Sequence, residues 1–123
     1  MKLIIAGSRN IDVSIEFIND LIWTHFVTNL PSEIVCGMAR GIDLCGKQWA
    51  DILGKIPVKE MPAAWKFDGR KAGFVRNIAM AEYADQLLAI WDGNSNGTRH
   101  MIQEMLLRKK PIHVELYVKT KET

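Results

Sequence analysis

Short apolar runs alternate along the chain with longer stretches in which apolar residues recur at helical spacing. The runs are Leu3 to Ala6, Ile34 to Gly37, Ile56 to Met61, Leu87 to Trp91 and Ile112 to Val118. Runs of this length between turn residues are typical of strands, and each intervening stretch is long enough for one helix. The pattern therefore predicts the order βαβαβαβαβ.

Each helical stretch carries one apolar face. Asp12 or Ser14 is expected to cap the first helix, and the third is expected over Ala72 to Ala84. In the second stretch Gly54 is expected to end the helix. Its apolar face comprises Ile42, Cys45, Trp49, Ile52 and Leu53. In the fourth stretch Pro111 is expected to stop the helix. Its apolar face comprises Met101, Ile102, Met105 and Leu106.

Strands joined by single helices are parallel, and right-handed crossovers then cover both faces of the sheet. The sequence therefore predicts an α/β, three-layer Rossmann-like domain with a mostly parallel five-stranded sheet. The first, second and fourth strands are continuously apolar, so they are expected in the centre. Pro57 and Pro62 bracket the third strand, which suits an edge. The fifth alternates apolar and polar residues, which leaves one face wet or against a partner subunit.

Composition fits one globular domain over residues 1–123. The chain is 48% hydrophobic and 24% charged, and its net charge of +2 argues against a general nucleic-acid binder. The chain starts on a strand and has no apolar run of membrane-spanning length, so we expect a cytoplasmic protein without a membrane segment. Cys36 and Cys45 lack metal-ligand spacing and the three histidines stand apart in sequence, so no metal site is expected.

In parallel α/β sheets, ligands bind beyond the carboxyl ends of the strands. Four loops reach that edge: residues 7–10, 37–43, 65–76 and 92–99, and each contains glycine and arginine. Seven cationic side chains stand against three carboxylates there, a net charge of +4, whereas the rest of the chain carries −2. Positive charge gathered at this edge favours a small anionic ligand, although loops are also charged because they are wet.

The fourth loop, Asp92 to Thr98, is a glycine-rich turn between a strand and a helix. Gly93 and Gly97 permit positive φ and close approach of a ligand, and Thr98 is expected to cap the helix. Ser95 and Thr98 can donate to phosphate or ribose oxygens. The unpaired N–H groups of such a helix start bind anions.

The other loops supply further candidates. Asp43 suits either a ribose hydroxyl or the cap of the second helix, and Arg70 and Arg76 have the planar forks that hold phosphate. Trp65 and Trp91 lie at or beyond strand ends, where a ring stacks on a base or packs in the core. The spacing Gly37-x-x-x-Gly41 matches neither a dinucleotide fingerprint nor a P-loop. The full set of expected ligand-binding residues is Gly7, Ser8, Arg9, Gly37, Arg40, Gly41, Asp43, Trp65, Arg70, Arg76, Asn77, Asp92, Gly93, Ser95, Gly97 and Thr98.

In combination, the loop motifs resemble the small stand-alone, YspA-like members of the SLOG superfamily. The matching segments are residues 4–9, 36–43, 72–80, 84–85 and 91–98. This superfamily also contains the lysine-decarboxylase-like phosphoribohydrolases, the DprA proteins that process DNA, and sensors of NAD-derived nucleotides. The resemblance implies a nucleotide-binding Rossmann-like domain, often a homo-oligomer.

One position departs from the hydrolases. They carry a catalytic glutamate three residues after the threonine of the glycine turn, where this chain has Met101, and the next acid downstream is Glu104. Cleavage of an N-glycosidic bond needs a positioned carboxylate. The leading hypothesis is therefore binding or sensing of a nucleotide derivative, such as ADP-ribose, an NAD product or a nucleoside monophosphate, with no other cofactor required.

Two alternatives remain open. The first is an N-glycosidic hydrolase of nucleotides that uses Arg76 with Asp43 or Asp92. The second, which the compact positive charge supports less well, is DprA-like handling of single-stranded DNA. A homodimer or higher homo-oligomer is expected, and a membrane or nucleic-acid partner is not.

Overall fold

A computed structural model of the chain describes residues 1–118. It contains the predicted α/β architecture, with one five-stranded, all-parallel sheet in the order β3-β2-β1-β4-β5. The strands are β1 (Lys2–Gly7), β2 (Glu33–Cys36), β3 (Val58–Glu60), β4 (Gln86–Trp91) and β5 (Ile112–Leu116). As predicted, the first, second and fourth strands are central, and β3 lies at an edge.

Five α-helices connect or flank the strands. They are α1 (Ile15–His25), α2 (Ile42–Trp49), α3 (Trp65–Asp68), α4 (Ala72–Tyr83) and α5 (Asn96–Leu107). Ser14 caps α1 by accepting from the amide of Phe17 at 3.1 Å. A π-helical turn, Ala50–Gly54, extends α2, and a 3-10 turn, Gly69–Lys71, joins α3 to α4. None of the helices within residues 1–118 has the length and apolar character of a membrane span.

Helices cover both faces of the sheet, and a separate apolar cluster fills each interface. Helices α1 and α2 pack on the face that presents Leu3, Ile5 and Ile34. The opposite face, with Ile4 and Ala6, packs against buried residues of α4 and α5. Both faces of β1 are therefore buried, which explains its continuous apolar sequence.

The end of the second helix differs from the prediction. Because the helix widens into a π-turn, the predicted apolar face is not continued, and Ile52 and Leu53 are about half exposed. The residue with left-handed backbone is Lys55, at φ +50°, rather than Gly54. Gly54 is instead required by packing, since a Cβ there would lie 2.8 Å from the ring of Trp49.

The outer surface near β5 is apolar. Val114 and Leu116 of this edge strand and Val118 just beyond it are 36%, 64% and 79% exposed, which matches the expectation of one face that is wet or against a partner. On the other face of β5, the ring of His113 stacks on His25 of α1. Leu106 was predicted on the buried face of α5, but it is 58% exposed, and its neighbour Leu107 is 75% exposed.

Candidate functional site

The four glycine and arginine loops meet at the carboxyl edge of the sheet. From β1 the chain continues outward through β2 to β3 and then returns to β4 on the other side of β1, which makes the gap between β1 and β4 the switch point of the topology. A cavity of about 380 Å³ opens at this point. Its lining comprises Ala6, Gly7, Arg9, Asn10, Ala39, Arg40, Asp43, Arg76, Asn77, Met80, Asp92, Ser95, Asn96, Gly97, Thr98 and Met101.

Gly37, just after β2, lies between the buried carboxylate of Asp43 and the half-buried guanidinium of Arg76. A Cβ at this position would stand 2.6 Å from Nη1 of Arg76 and 2.7 Å from Oδ2 of Asp43. The guanidinium of Arg76 also donates to the carbonyl of Gly37, and its Nε donates to Oδ1 of Asn77 at 3.0 Å. Any side chain at position 37 must therefore displace the arginine or the carboxylate.

Asp43 lies in the first turn of α2 and is 5% exposed. It does not cap that helix, because Gly41 is the N-cap residue; its carboxylate accepts from the amide of Ala39 at 3.4 Å. Burial raises the pKa of Asp43 to about 6, and the positive charge of Arg76 opposes that rise. Burial likewise lowers the pKa of Arg76. The site thus contains a carboxyl group that titrates close to neutral pH beside a guanidinium.

The turn after β4 is built by side-chain hydrogen bonds to backbone amides. Asp92 accepts from the amides of Asn94 and Ser95, each at 2.8 Å, and these bonds lower its pKa. The hydroxyl of Ser95 lies 3.0 Å from both Asp92 and Ser8, and Ser8 in turn accepts from the amide of Asp92 at 3.2 Å. Asp92 and Ser8 therefore shape the loop, and Asp92 is poorly suited to proton transfer.

The start of α5 leaves its first turn open to the cavity. Ser95, not the predicted Thr98, is the N-cap residue, and its side chain makes no bond to the first helical turn. Asn96, Gly97 and Thr98, which form that turn, all line the cavity. A Cβ on Gly97 would meet nothing within 4 Å, so the glycine leaves open space directly above the helix end. Uncapped N–H groups and the helix dipole favour an anion here.

Met101 and Glu104 occupy different surroundings. Met101 is 1% exposed and lines the cavity. Glu104 points away into a chain of polar contacts, with His100 at 3.2 Å and Arg108 at 2.6 Å. The Nδ1 atom of His100 also lies 3.2 Å from the side-chain nitrogen of Asn77. Glu104 is thus committed to a structural ion pair and does not replace a carboxylate at position 101.

Two further depressions continue the cavity toward α3 and α4. One, of about 470 Å³, is lined by Trp65, Arg9 and Arg40 together with Gly37 and Arg76. The other, of about 160 Å³, lies where Trp65 meets Arg70 and Phe74. Trp65 lines both depressions and is 52% exposed, so its aromatic side chain is accessible to a ligand bound there. Arg9 and Arg76 line all three depressions.

Thirteen of the sixteen expected ligand-binding residues line at least one of these depressions. The exceptions are Ser8, Gly41 and Gly93. Ser8 is fully buried, and Gly41 packs with φ +81° against the carbonyls of Ser8 and Arg9. Gly93 has φ +82° within the Asp92 turn. These three residues shape the loops without lining the depressions. Trp91, the other aromatic candidate, donates to the carbonyl of Ser95 at 3.1 Å and also braces this turn.

Several lining residues were not among the expected ligand-binding residues. Met80 and Met101 are buried in the core and also line the cavity; Met101 was singled out only as the position where the similar hydrolases carry a glutamate. Phe74, 47% exposed, lines the smallest depression together with Trp65, and the short helix α3 that begins at Trp65 was not predicted. Asn10 and Asn96 adjoin residues that were predicted to bind ligand, and only their position in the loops could have identified them.

Comparison with known proteins adds one relative. The chain is similar to the Gene 61 protein of Mycobacterium phage D29, at 40% identity over 76 residues, which cover 58% of this chain and 61% of the phage protein. The match thus spans less than two thirds of that relative's length. No protein-family model and no solved structure matches the chain.

Proposed function

We propose that this protein binds a nucleotide derivative, either an ADP-ribose or NAD-related compound or a nucleoside monophosphate, at the carboxyl edge of its sheet. The observation that carries the proposal is the start of α5, where an uncapped first turn and the open space above Gly97 face the same cavity as the guanidinium of Arg76. A phosphate fits this combination, because it gains backbone donors, the helix dipole and a charge-assisted contact together.

The rest of the cavity suits the other parts of such a ligand. Arg9 and Arg40 line the same depression as Trp65, and the accessible side chain of Trp65 is of the type that stacks on a base. The volume of the cavity and the adjoining depression lined by Trp65 together fit a ligand larger than inorganic phosphate. The SLOG membership suggested by the loop motifs is part of the same proposal.

A panel of ligands tests the proposal. At a concentration 100 times its Kd, a ligand that binds only the folded state adds about 2.7 kcal/mol to the free energy of unfolding. We therefore expect AMP, ADP-ribose or NAD at millimolar concentration to raise the melting temperature, and adenosine, which lacks phosphate, to raise it much less. A flat response across the panel would contradict the proposal.

One observation favours a second candidate, an N-glycosidic hydrolase. Asp43 is a buried cavity carboxyl with a pKa of about 6, a range suited to proton transfer at neutral pH. Met101 argues against a hydrolase, since a thioether neither moves a proton nor stabilises positive charge. We expect AMP to bind without release of free adenine, and Met101→Glu is the variant in which slow release would be sought.

We also expect self-association through the edge strand β5. Its outward residues Val114, Leu116 and Val118 are apolar and exposed, and Leu106 and Leu107 of α5 add to the exposed apolar surface. Surface of this kind is typical of a contact between copies. Light scattering should report a dimer or larger assembly at micromolar concentration, and Leu116→Asp should shift it toward monomer. A monomer in the unaltered protein would contradict this expectation.

A further inference from the structure

Two of the chain's three histidines meet far from the cavity. His25 is the last residue of α1, and His113 lies on β5; their rings stack with centroids 3.6 Å apart and planes 24° from parallel. Glu115 follows two residues later on the same face of β5, and its Oε2 lies 3.2 Å from Nε2 of His113. The three residues join the end of a helix to an edge strand.

This cluster lies at the other end of the fold from the proposed nucleotide site. Helix α1 starts beside the carboxyl edge of the sheet and runs antiparallel to the strands, so its final residue stands toward the opposite edge. None of the three residues lines the depressions described above. Its chemistry is therefore independent of the proposed function.

The arrangement has the donor set and spacing of a metal site. One ligand atom from each side chain falls within 4.8 Å of the other two. Ligands at 2.0 to 2.1 Å from a tetrahedral zinc ion stand roughly 3.3 Å from one another, close to the 3.2 Å between His113 and Glu115. His25 is exposed and ends its helix, so its ring is free to turn out of the stack and aim a nitrogen at the same point.

We propose that His25, His113 and Glu115 bind a divalent transition-metal ion, with Zn²⁺ as the favoured occupant. Two imidazoles and a carboxylate suit ions of borderline softness and exclude Ca²⁺ and Mg²⁺, which prefer all-oxygen ligands. Three protein ligands leave a fourth position for water or an outside group. The bound ion crosslinks α1 to β5 and so stabilises the sheet edge that carries the exposed apolar face.

The test uses the full chain without a histidine tag, stripped of metal and titrated with ZnCl₂ and, separately, with CoCl₂. Zinc should raise the melting temperature, and Co²⁺ should give the intense visible absorption of a tetrahedral site. His25→Ala and Glu115→Gln should each weaken zinc binding by at least roughly 10- to 100-fold. This is the loss that follows when a residue that only hydrogen-bonds to a metal ligand is mutated, and here a ligand itself is removed. His100→Gln removes the remaining histidine and should leave zinc binding unchanged.

His25 is exposed and Glu115→Gln preserves shape, so both variants are expected to fold, which circular dichroism verifies. Absence of zinc binding by the unaltered chain at micromolar metal overturns the proposal. So does zinc binding that survives in His25→Ala, because the ion then sits elsewhere. Equal stabilisation by Mg²⁺ overturns the assignment of a transition metal.

Discussion

Asp43→Asn is expected to stabilise the protein at neutral pH and to remove most of its pH dependence between pH 4 and pH 6. Burial raises the pKa of Asp43 from 3.8 to about 6, so in this window the folded state binds more protons than the unfolded state. The free energy of unfolding therefore falls as pH rises through the window. With 1.36 kcal/mol for each unit of pKa, the loss is up to about 3 kcal/mol. Urea unfolding across this pH range measures it.

Asp92→Asn is the matched control, because the pKa of Asp92 is shifted in the opposite direction to that of Asp43. Hydrogen bonds from the amides of Ser95 and Asn94 lower the pKa of Asp92, so its contribution is present above the unfolded pKa and is lost as pH falls. The Asn variant at position 92 should therefore be less stable than the unaltered chain at neutral pH and match it in acid. If both variants respond alike, the assignment of Asp43 as the strained carboxyl is wrong.

The same Asp43→Asn variant separates the two candidate functions. For a binding protein, removal of a negative charge beside Arg76 should tighten the binding of AMP at neutral pH, and the unaltered protein should bind more tightly as pH falls through 6. For a hydrolase, loss of a proton-transferring carboxyl should lower the rate of base release by roughly 10²- to 10⁴-fold. Titration calorimetry and a free-base assay on one preparation distinguish these outcomes.

Arg76→Ala is expected to weaken AMP or ADP-ribose binding by roughly 1.5 to 3 kcal/mol, the usual value of a charge-assisted contact. It should also lower stability at neutral pH, because the guanidinium holds the Gly37 carbonyl and Asn77 and neighbours the buried Asp43. Arg70, in contrast, is exposed, so its removal should barely affect folding.

The double variant Arg76→Ala with Asp43→Asn makes this prediction sharper. Removal of both charges should recover much of the lost stability, since no unpaired carboxylate remains buried. Ligand binding should not recover, because the phosphate contact is still missing. Arg70→Ala should leave the melting temperature unchanged. Recovery of binding in the double variant would mean that Arg76 acts only by balancing Asp43.

The fold and the location of the cavity could be predicted because they depend on regular signals. The continuous apolar runs of β1, β2 and β4 identify strands buried on both faces, and the parallel topology then fixes the edge where loops converge. Glycine and arginine in each of those loops pointed to most of the lining. These signals are local or topological, so they are visible without coordinates.

The inner detail of the site depends on contacts between distant segments, which no local pattern records. Thr98 looked like a cap, but Asp92 and Ser8, far apart in sequence, organise the turn and leave Ser95 at the N-cap. Glu104 was visible only as the next acid after position 101, but it pairs with Arg108, and its neighbour His100 contacts Asn77. His25 and His113 looked isolated because 88 positions of sequence separate two rings that stack.

We expect phosphate to bind at the open start of α5, and Gly97→Ala changes this position alone. The added methyl group meets no other atom within 4 Å, so folding is undisturbed, and alanine in a helical position should stabilise the free protein by about 0.4 to 1 kcal/mol. The methyl group nevertheless fills the space where the phosphate would sit. Gln103→Ala, on an exposed position of the same helix, controls for general effects on α5.

Titration calorimetry with AMP and ADP-ribose on these three proteins gives the answer. We expect measurable binding by the unaltered chain and by Gln103→Ala. The affinity of Gly97→Ala should be at least about tenfold lower, or 1.4 kcal/mol, although this variant melts at the same or a higher temperature. Equal affinity in Gly97→Ala, or no binding by the unaltered chain at millimolar ligand, would contradict the proposed phosphate site.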